Sequence, residues 1–323
     1  MSTVTVSEAG GGRDLVITTS PHMHSRWTTR QVMWFVVLSL LPCVISAVLF
    51  FGVGQLLVIG SAVLFAVGTE ALIQYLTKKP IAIRDGSAVI TGLLLGLVLP
   101  PNFSPVFTAL GAIFSIAVGK MVFGGLGYNI FNPALAGRAF LQAAFPVAIT
   151  TWTMPQFAVD TVSKATPLAA FKFDHVITGM QPLVIGNVGG SLGETSAIAV
   201  LIGGGFLLVT RVANWRIPLS MLVGVLLFGG IIWLIDPAAP NPLFHVFAGS
   251  FLFGAMFMAT DYVTSPVTNL GLWIYGMGIS LIIVLIRVYG GLPEGVMYSI
   301  LFMNAFVPLI NRYTRPKIFG EVA

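Results

Sequence analysis

The feature that most constrains this chain is a run of apolar stretches, each close to the length that crosses a lipid bilayer. They lie near residues 32–51, 55–76, 87–99, 105–122, 132–151, 195–210, 217–235, 244–259, 268–287 and 293–310. A hydrocarbon core of about 30 Å asks for about 20 apolar residues in a helix. Transmembrane β-strands would alternate apolar and polar residues, and these stretches do not alternate. Only 8% of the residues are charged, against about 25% in soluble domains. The chain is therefore expected to be an all-α polytopic membrane protein with about ten transmembrane helices.

The net charge of +5 is no nucleic-acid signal here, because basic residues of membrane proteins gather in cytoplasmic loops. Placing both termini inside assigns Arg13, Arg26, Arg30, Lys78, Lys79, Arg84, Lys120, Arg211, Arg216, Arg312, Arg315 and Lys317 to the cytoplasmic side. Only Lys164, Lys172 and Arg287 then face outward, and Arg138 is left inside a span. Residues 1–26 lack the apolar core and cleavage site of a secretory signal. The expected organisation is a cytoplasmic tail (1–30), a first helical block (31–152), an extracytoplasmic loop (153–193), a second block (194–311) and a cytoplasmic tail (312–323).

The third stretch is short. Ser87–Leu99 would be roughly 20 Å long as a helix, and Pro100, Pro101 and Pro105 oppose its continuation. A broken helix at membrane depth must be shielded by protein or line a cavity. The segment Gly124–Ala134 follows, with Asn129 and Asn132 as amides that need partners. It reads either as a ligand pocket or as a packing device between helices. Gly86-Ser87 recurs as Gly249-Ser250, and Gly124-Gly125-Leu126 as Gly290-Gly291-Leu292. Pro105 and Pro266 keep the order, as do Asn132 and Asn304. Five spans per half is an odd number, so the second half would enter from the opposite side. Such inverted repeats place ligand or ion paths at their interface.

One cysteine, Cys43, and four histidines leave no set of thiolates for an iron–sulfur cluster and no facing histidine pair for haem. No metal site is expected. Glu70, Asp85 and Asp261 are the acids nearest the inner mouth. They read as an ion path, or as helix caps and partners of Lys78, Lys79 and Arg84. The polar segment Asp160–Pro167 has the composition of a turn. Within it, Thr166 has a small neighbour, Ala165, and Pro167 biases it towards extended backbone.

With Ser20-Pro21-His22, Arg30, Asp85–Gly92, Asn129–Arg138, Ala165–Leu168 and Thr260–Pro266, the chain resembles the D subunits of Rnf ion-translocating oxidoreductase complexes. That family is related to the B subunit of the Na+-translocating NADH:quinone reductase. The resemblance covers most of the chain. It implies a urea-transporter-like fold of two inverted five-helix repeats in the bacterial inner membrane. It implies FMN joined by a flavin transferase, through a phosphoester, to Thr166, which makes the chain a phosphoprotein in the chemical sense. Asp160, Ser163 and Ala165 match the attachment motif, and Lys164 replaces its glycine. The resemblance further implies a second, non-covalent flavin such as riboflavin. It implies a redox-driven translocase of ferredoxin:NAD+ oxidoreductase type that moves Na+ or H+ and is not catalytic alone. The partners would be a second covalent-FMN subunit, iron–sulfur membrane subunits, and subunits that meet NAD and ferredoxin. This chain has no Gly-x-Gly-x-x-Gly unit of its own. The competing readings are a urea-transporter-like channel and a cofactor-free membrane scaffold.

Overall fold

The computed structural model describes residues 27–153, 155, 165–236 and 239–316. These residues form helices and connecting segments, with no strand among the described residues. The first block holds α1 (Thr29–Phe51), α2 (Gln55–Leu76), α3 (Ser87–Leu97), α4 (Pro105–Ile116), α5 (Pro133–Ala144) and α6 (Pro146–Thr150). Two short helices follow, α7 (Pro167–Asp174) and α8 (Met180–Ile185). The second block holds α9 (Ala197–Val209), α10 (Arg216–Ile235), α11 (Pro242–Phe247), α12 (Phe251–Phe253), α13 (Asn269–Tyr289) and α14 (Val296–Tyr313). A π-helical turn extends α4 through Ala117–Met121, and another extends α12 through Gly254–Met258. All ten apolar stretches are thus helical over most of their length, and α2 spans 55–76 as expected.

Among the described residues α1, α2, α10 and α13 are long and apolar enough to cross a membrane. Their burial pattern suits lipid rather than water. On α1, Ser39, Cys43, Ser46 and Ala47 face inward, while Leu38, Leu41, Ile45 and Leu49 are exposed. Small residues inside and large ones outside is how helices pack where the solvent is itself apolar. The tightest approach to a neighbouring backbone joins the two blocks. A Cβ at Gly203 of α9 would overlap the Ser39 carbonyl of α1, so only glycine lets these backbones approach. The other main pairings are α10 with α13, α2 with α3 and α4, α4 with α5, and α13 with α14.

The short third stretch is broken, and protein shields it. Helix α3 ends at Leu97, yet every residue from Thr91 to Pro101 is buried. The carbonyls at its end are satisfied from the segment just before the second block. Gly193 N–H donates to Leu97 O (2.7 Å), and Leu192 N–H to Leu99 O (3.2 Å). A Cβ on Gly193 would sit 2.8 Å from the Leu97 Cβ, so glycine is what lets this segment lie against α3. The contact fixes the next residue, Glu194.

Candidate functional site

Two cavities lie along α5. Pro133 lines one and Gln142 the other, a separation of about 14 Å along the helix axis. The first, of about 780 Å³, is bordered by Ser87, Lys120, Asn129, Asn132 and Asp261. The second, of about 840 Å³, is bordered by Arg138, Thr166, Glu194 and Glu294, with Trp152, Leu168 and Phe247 as apolar walls. Both volumes include space open to the surroundings.

Thr166 stands at the rim of the second cavity because of its neighbour. Pro167 starts α7 at the position where its missing N–H costs nothing, and Thr166 takes the extended conformation (φ −61°, ψ 156°) expected before proline. Its Oγ accepts from Ala169 N–H at 3.2 Å and caps the helix. Helix α7 is tied down at its far end, where Lys172 Nζ donates to the Ile286 and Arg287 carbonyls of α13, both at 3.1 Å. Burial there pulls the Lys172 ammonium below its ordinary pKa. Ala165 is exposed beside Thr166. Asp160, Ser163 and Lys164 lie outside the described residues.

Behind Thr166 is a group of buried charges. Arg138 Nη1 donates to Glu194 Oε1 at 3.3 Å, and both side chains are almost wholly buried. Arg287 Nη1 donates to the His245 carbonyl at 2.5 Å, and its Nη2 to the Ala248 carbonyl at 3.0 Å and to Glu294 Oε1 at 3.2 Å. Glu294 also accepts from Ser250 N–H (3.2 Å) and Val296 N–H (3.4 Å), at the starts of α12 and α14. Gly249 adopts φ +67°, and a Cβ there would overlap the Glu294 carboxylate.

The first cavity joins two of the three acids singled out in the sequence. Lys120 Nζ lies 2.8 Å from Glu70 Oε2 and 2.9 Å from Oε1, and donates to Ser87 Oγ at 2.6 Å. Ser87 Oγ donates to Asp85 Oδ1 at 2.8 Å, and Ser87 N–H to the same oxygen at 2.9 Å. Asp85 therefore caps α3. Asp261 borders the cavity, its carboxylate accepting from Thr264 Oγ1 at 3.0 Å. Asn132 caps α5, and its amide reaches the Met258 carbonyl at 3.2 Å. Its backbone N–H lies 3.1 Å from the Asn304 side-chain amide, which accepts from it when its oxygen is turned that way. The glycine–asparagine segment thus lines a cavity and joins helices.

Two expectations need correction. Lys120 is not a loop charge; it is buried in the π-turn, where Glu70 and Ser87 satisfy all three of its protons. Glu70 does not pair with Lys78, Lys79 or Arg84, since its cation is Lys120. Arg287, assigned to the outer side, is buried among carbonyls. Sequence reasoning passed over Lys120, Glu194, Arg287 and Glu294 as site residues. The usable signal was a lone charge in or beside an apolar stretch, which must find a partner at membrane depth.

Comparison with known proteins gives this arrangement a context. Residues 16–320 match the model of the NQR2, RnfD, RnfE family. The chain belongs to this family. It is 42% identical to the D subunit of the proton-translocating ferredoxin:NAD(+) oxidoreductase complex of Clostridium ljungdahlii, over 94% of this chain and 96% of that one. It is also 42% identical to the D subunit of the Na(+)-translocating ferredoxin:NAD(+) oxidoreductase complex of Acetobacterium woodii, over 95% and 96%. The D subunit of the ion-translocating oxidoreductase complex of Erwinia tasmaniensis is 34% identical, over 94% and 98%. Relatives named for protons and for Na+ match equally well, so overall similarity does not separate the two ions. Apolar helices and family together mark a membrane protein.

Proposed function

We propose that the chain is the flavin-bearing membrane subunit of an ion-translocating ferredoxin:NAD+ oxidoreductase complex, with FMN held at Thr166 through a phosphoester. The observation that carries this reading is the place of the Thr166 hydroxyl. It lies at the rim of a cavity and at the N-terminus of α7, where backbone N–H groups favour a phosphate. The residues fit the group: Trp152, Leu168 and Phe247 offer apolar walls to a flat ring, and Arg138 and Glu194 offer polar partners. When bound, FMN supplies reversible uptake and release of electrons. Thr166 fixes the phosphate so that the carrier is not lost, and α7, held by Lys172, fixes Thr166.

The Lys120 cavity is proposed as the site of the second, non-covalent flavin, riboflavin. Val36, Leu94 and Phe257 give it apolar walls, and Thr91 and Asn129 give it hydrogen-bonding groups. Glu70, Asp85 and Asp261 gather at this end, which favours them as acids of the ion path. The two blocks are read as inverted repeats. Exchanging α1, α2, α4 and α5 for α9, α10, α13 and α14 turns the α2–α4 pairing into α10–α13 and the α4–α5 pairing into α13–α14, and returns α1–α9 to itself. This symmetry supports the urea-transporter-like architecture, and the Lys/Arg bias supports termini in the cytoplasm and Thr166 outside. Iron–sulfur centres and the sites for NAD and ferredoxin then belong to partner subunits, along with the second covalent FMN.

Ultraviolet illumination of a denaturing gel tests the reading. The band of this chain, made in cells that hold the flavin transferase, should fluoresce and should go dark in Thr166→Ala. A dark wild-type band would favour a channel or scaffold.

A further inference from the structure

Arg138 has an unusual bonding state. It borders the Thr166 cavity and is 5% exposed. An arginine has five N–H donors, and a buried donor without a partner is costly. Arg138 makes one side-chain contact to Glu194, at the long distance of 3.3 Å, and its Nε has no partner among the described residues. Arg287 shows the contrast. Its Nε also lacks a partner, but both of its terminal nitrogens are engaged by two carbonyls and Glu294, and it does not border the cavity. Arg138 therefore brings a positive charge to the cavity wall, with terminal N–H groups beyond the one that Glu194 takes, in surroundings where both act strongly.

Glu194 sits where it does for a separate reason. The Gly193 N–H bond to Leu97 fixes the segment against the broken end of α3. The carboxylate is thereby placed so that it engages Arg138 at one terminal nitrogen and leaves the rest of the guanidinium unpaired by it.

We propose that Arg138 donates to the electron-rich edge of the ring held in the Thr166 cavity and favours its reduced form, while Glu194 orients the guanidinium and opposes that bias with its own charge. This rests on the reading of Thr166 as the FMN attachment point. A flavin ring that gains two electrons and one proton carries a negative charge. A fixed cation with a free N–H stabilises that state over the neutral oxidised one. The electrons come from the reductant of the complex and the proton from water at the cavity mouth.

The test is a potentiometric titration of the purified complex followed by flavin absorbance. The component lost in Thr166→Ala belongs to the flavin at that residue. Arg138→Gln should move this component to lower potential by a factor of ten or more in the reduction equilibrium, about 30 mV for a two-electron couple. Glu194→Gln should move it to higher potential. Arg138→Lys keeps the charge and loses the fork, so it should fall between wild type and Arg138→Gln. If Arg138→Gln does not assemble, Glu194→Gln and Arg138→Lys carry the comparison. Opposite shifts support the proposal. A component that keeps its potential in these variants, or shifts the same way when either charge is removed, overturns it while leaving the attachment at Thr166 standing. If Thr166→Ala removes no component, the attachment reading fails and this inference fails with it.

Discussion

Removing one member of the Lys120–Glu70 pair should be far more damaging than removing both. The pair is at 2.8 Å, with the side chains 3% and 2% exposed. Glu70→Leu leaves the Lys120 ammonium buried with only the Ser87 hydroxyl, and Lys120→Met leaves the Glu70 carboxylate buried with only Gln74, whose Nε2 donates to it at 3.2 Å. Breaking a buried pair in this way costs about 3–5 kcal/mol, whereas replacing both partners by apolar residues of similar size is often neutral. At about 2–4 °C per kcal/mol for large domains, each single variant should unfold roughly 6–20 °C below wild type. The double variant should return to within a few degrees of it. Cys43 supplies the assay. It is the chain's one cysteine and is fully buried, so a thiol-reactive dye labels the band of this chain only once the helices part. Heating, labelling and gel separation give an apparent midpoint within the intact complex. A double variant as unstable as the two single losses combined would refute the pairing argument.

Further consequences are equally direct. Gly203→Val should push α9 away from the Ser39 carbonyl and lower the Cys43-reported midpoint, at a cost of about 1–3 kcal/mol for overpacking; an unchanged midpoint would contradict the close α1–α9 approach. Gly193→Ala should cost a similar amount, because its Cβ presses on Leu97 and Phe253. A midpoint equal to wild type would show that the segment does not need the close contact. Val176 is exposed just beyond α7. In Val176→Cys an impermeant thiol reagent should label intact cells, and labelling only after lysis would place this loop on the cytoplasmic side.

Helices were legible because hydropathy is local. The bounds of α2 follow from residues 55–76 alone, and the break after α3 follows from Pro100 and Pro101. Thr166 could be singled out from Pro167 and a small neighbour, and its extended backbone is what proline dictates. The buried pairs could not be read this way. Lys120 meets Glu70 across 50 residues, and Arg138 meets Glu194 across 56. No helical spacing connects such positions, so each looked like a stray charge. The caps show the same divide: Asp85 reaches Ser87 within a turn, while Glu294 serves Ser250 from 44 residues away. What tertiary folding adds here is the choice of partner for each charge that an apolar stretch contains.

The central claim is that the Thr166 hydroxyl carries a redox-active ring, and peptide mass spectrometry of the complex from its native host tests it most directly. The account predicts that the peptide containing Thr166 is heavier by FMN less one water, with fragmentation placing the addition on that threonine. A bare peptide, recovered from complex that still transfers electrons, would contradict it.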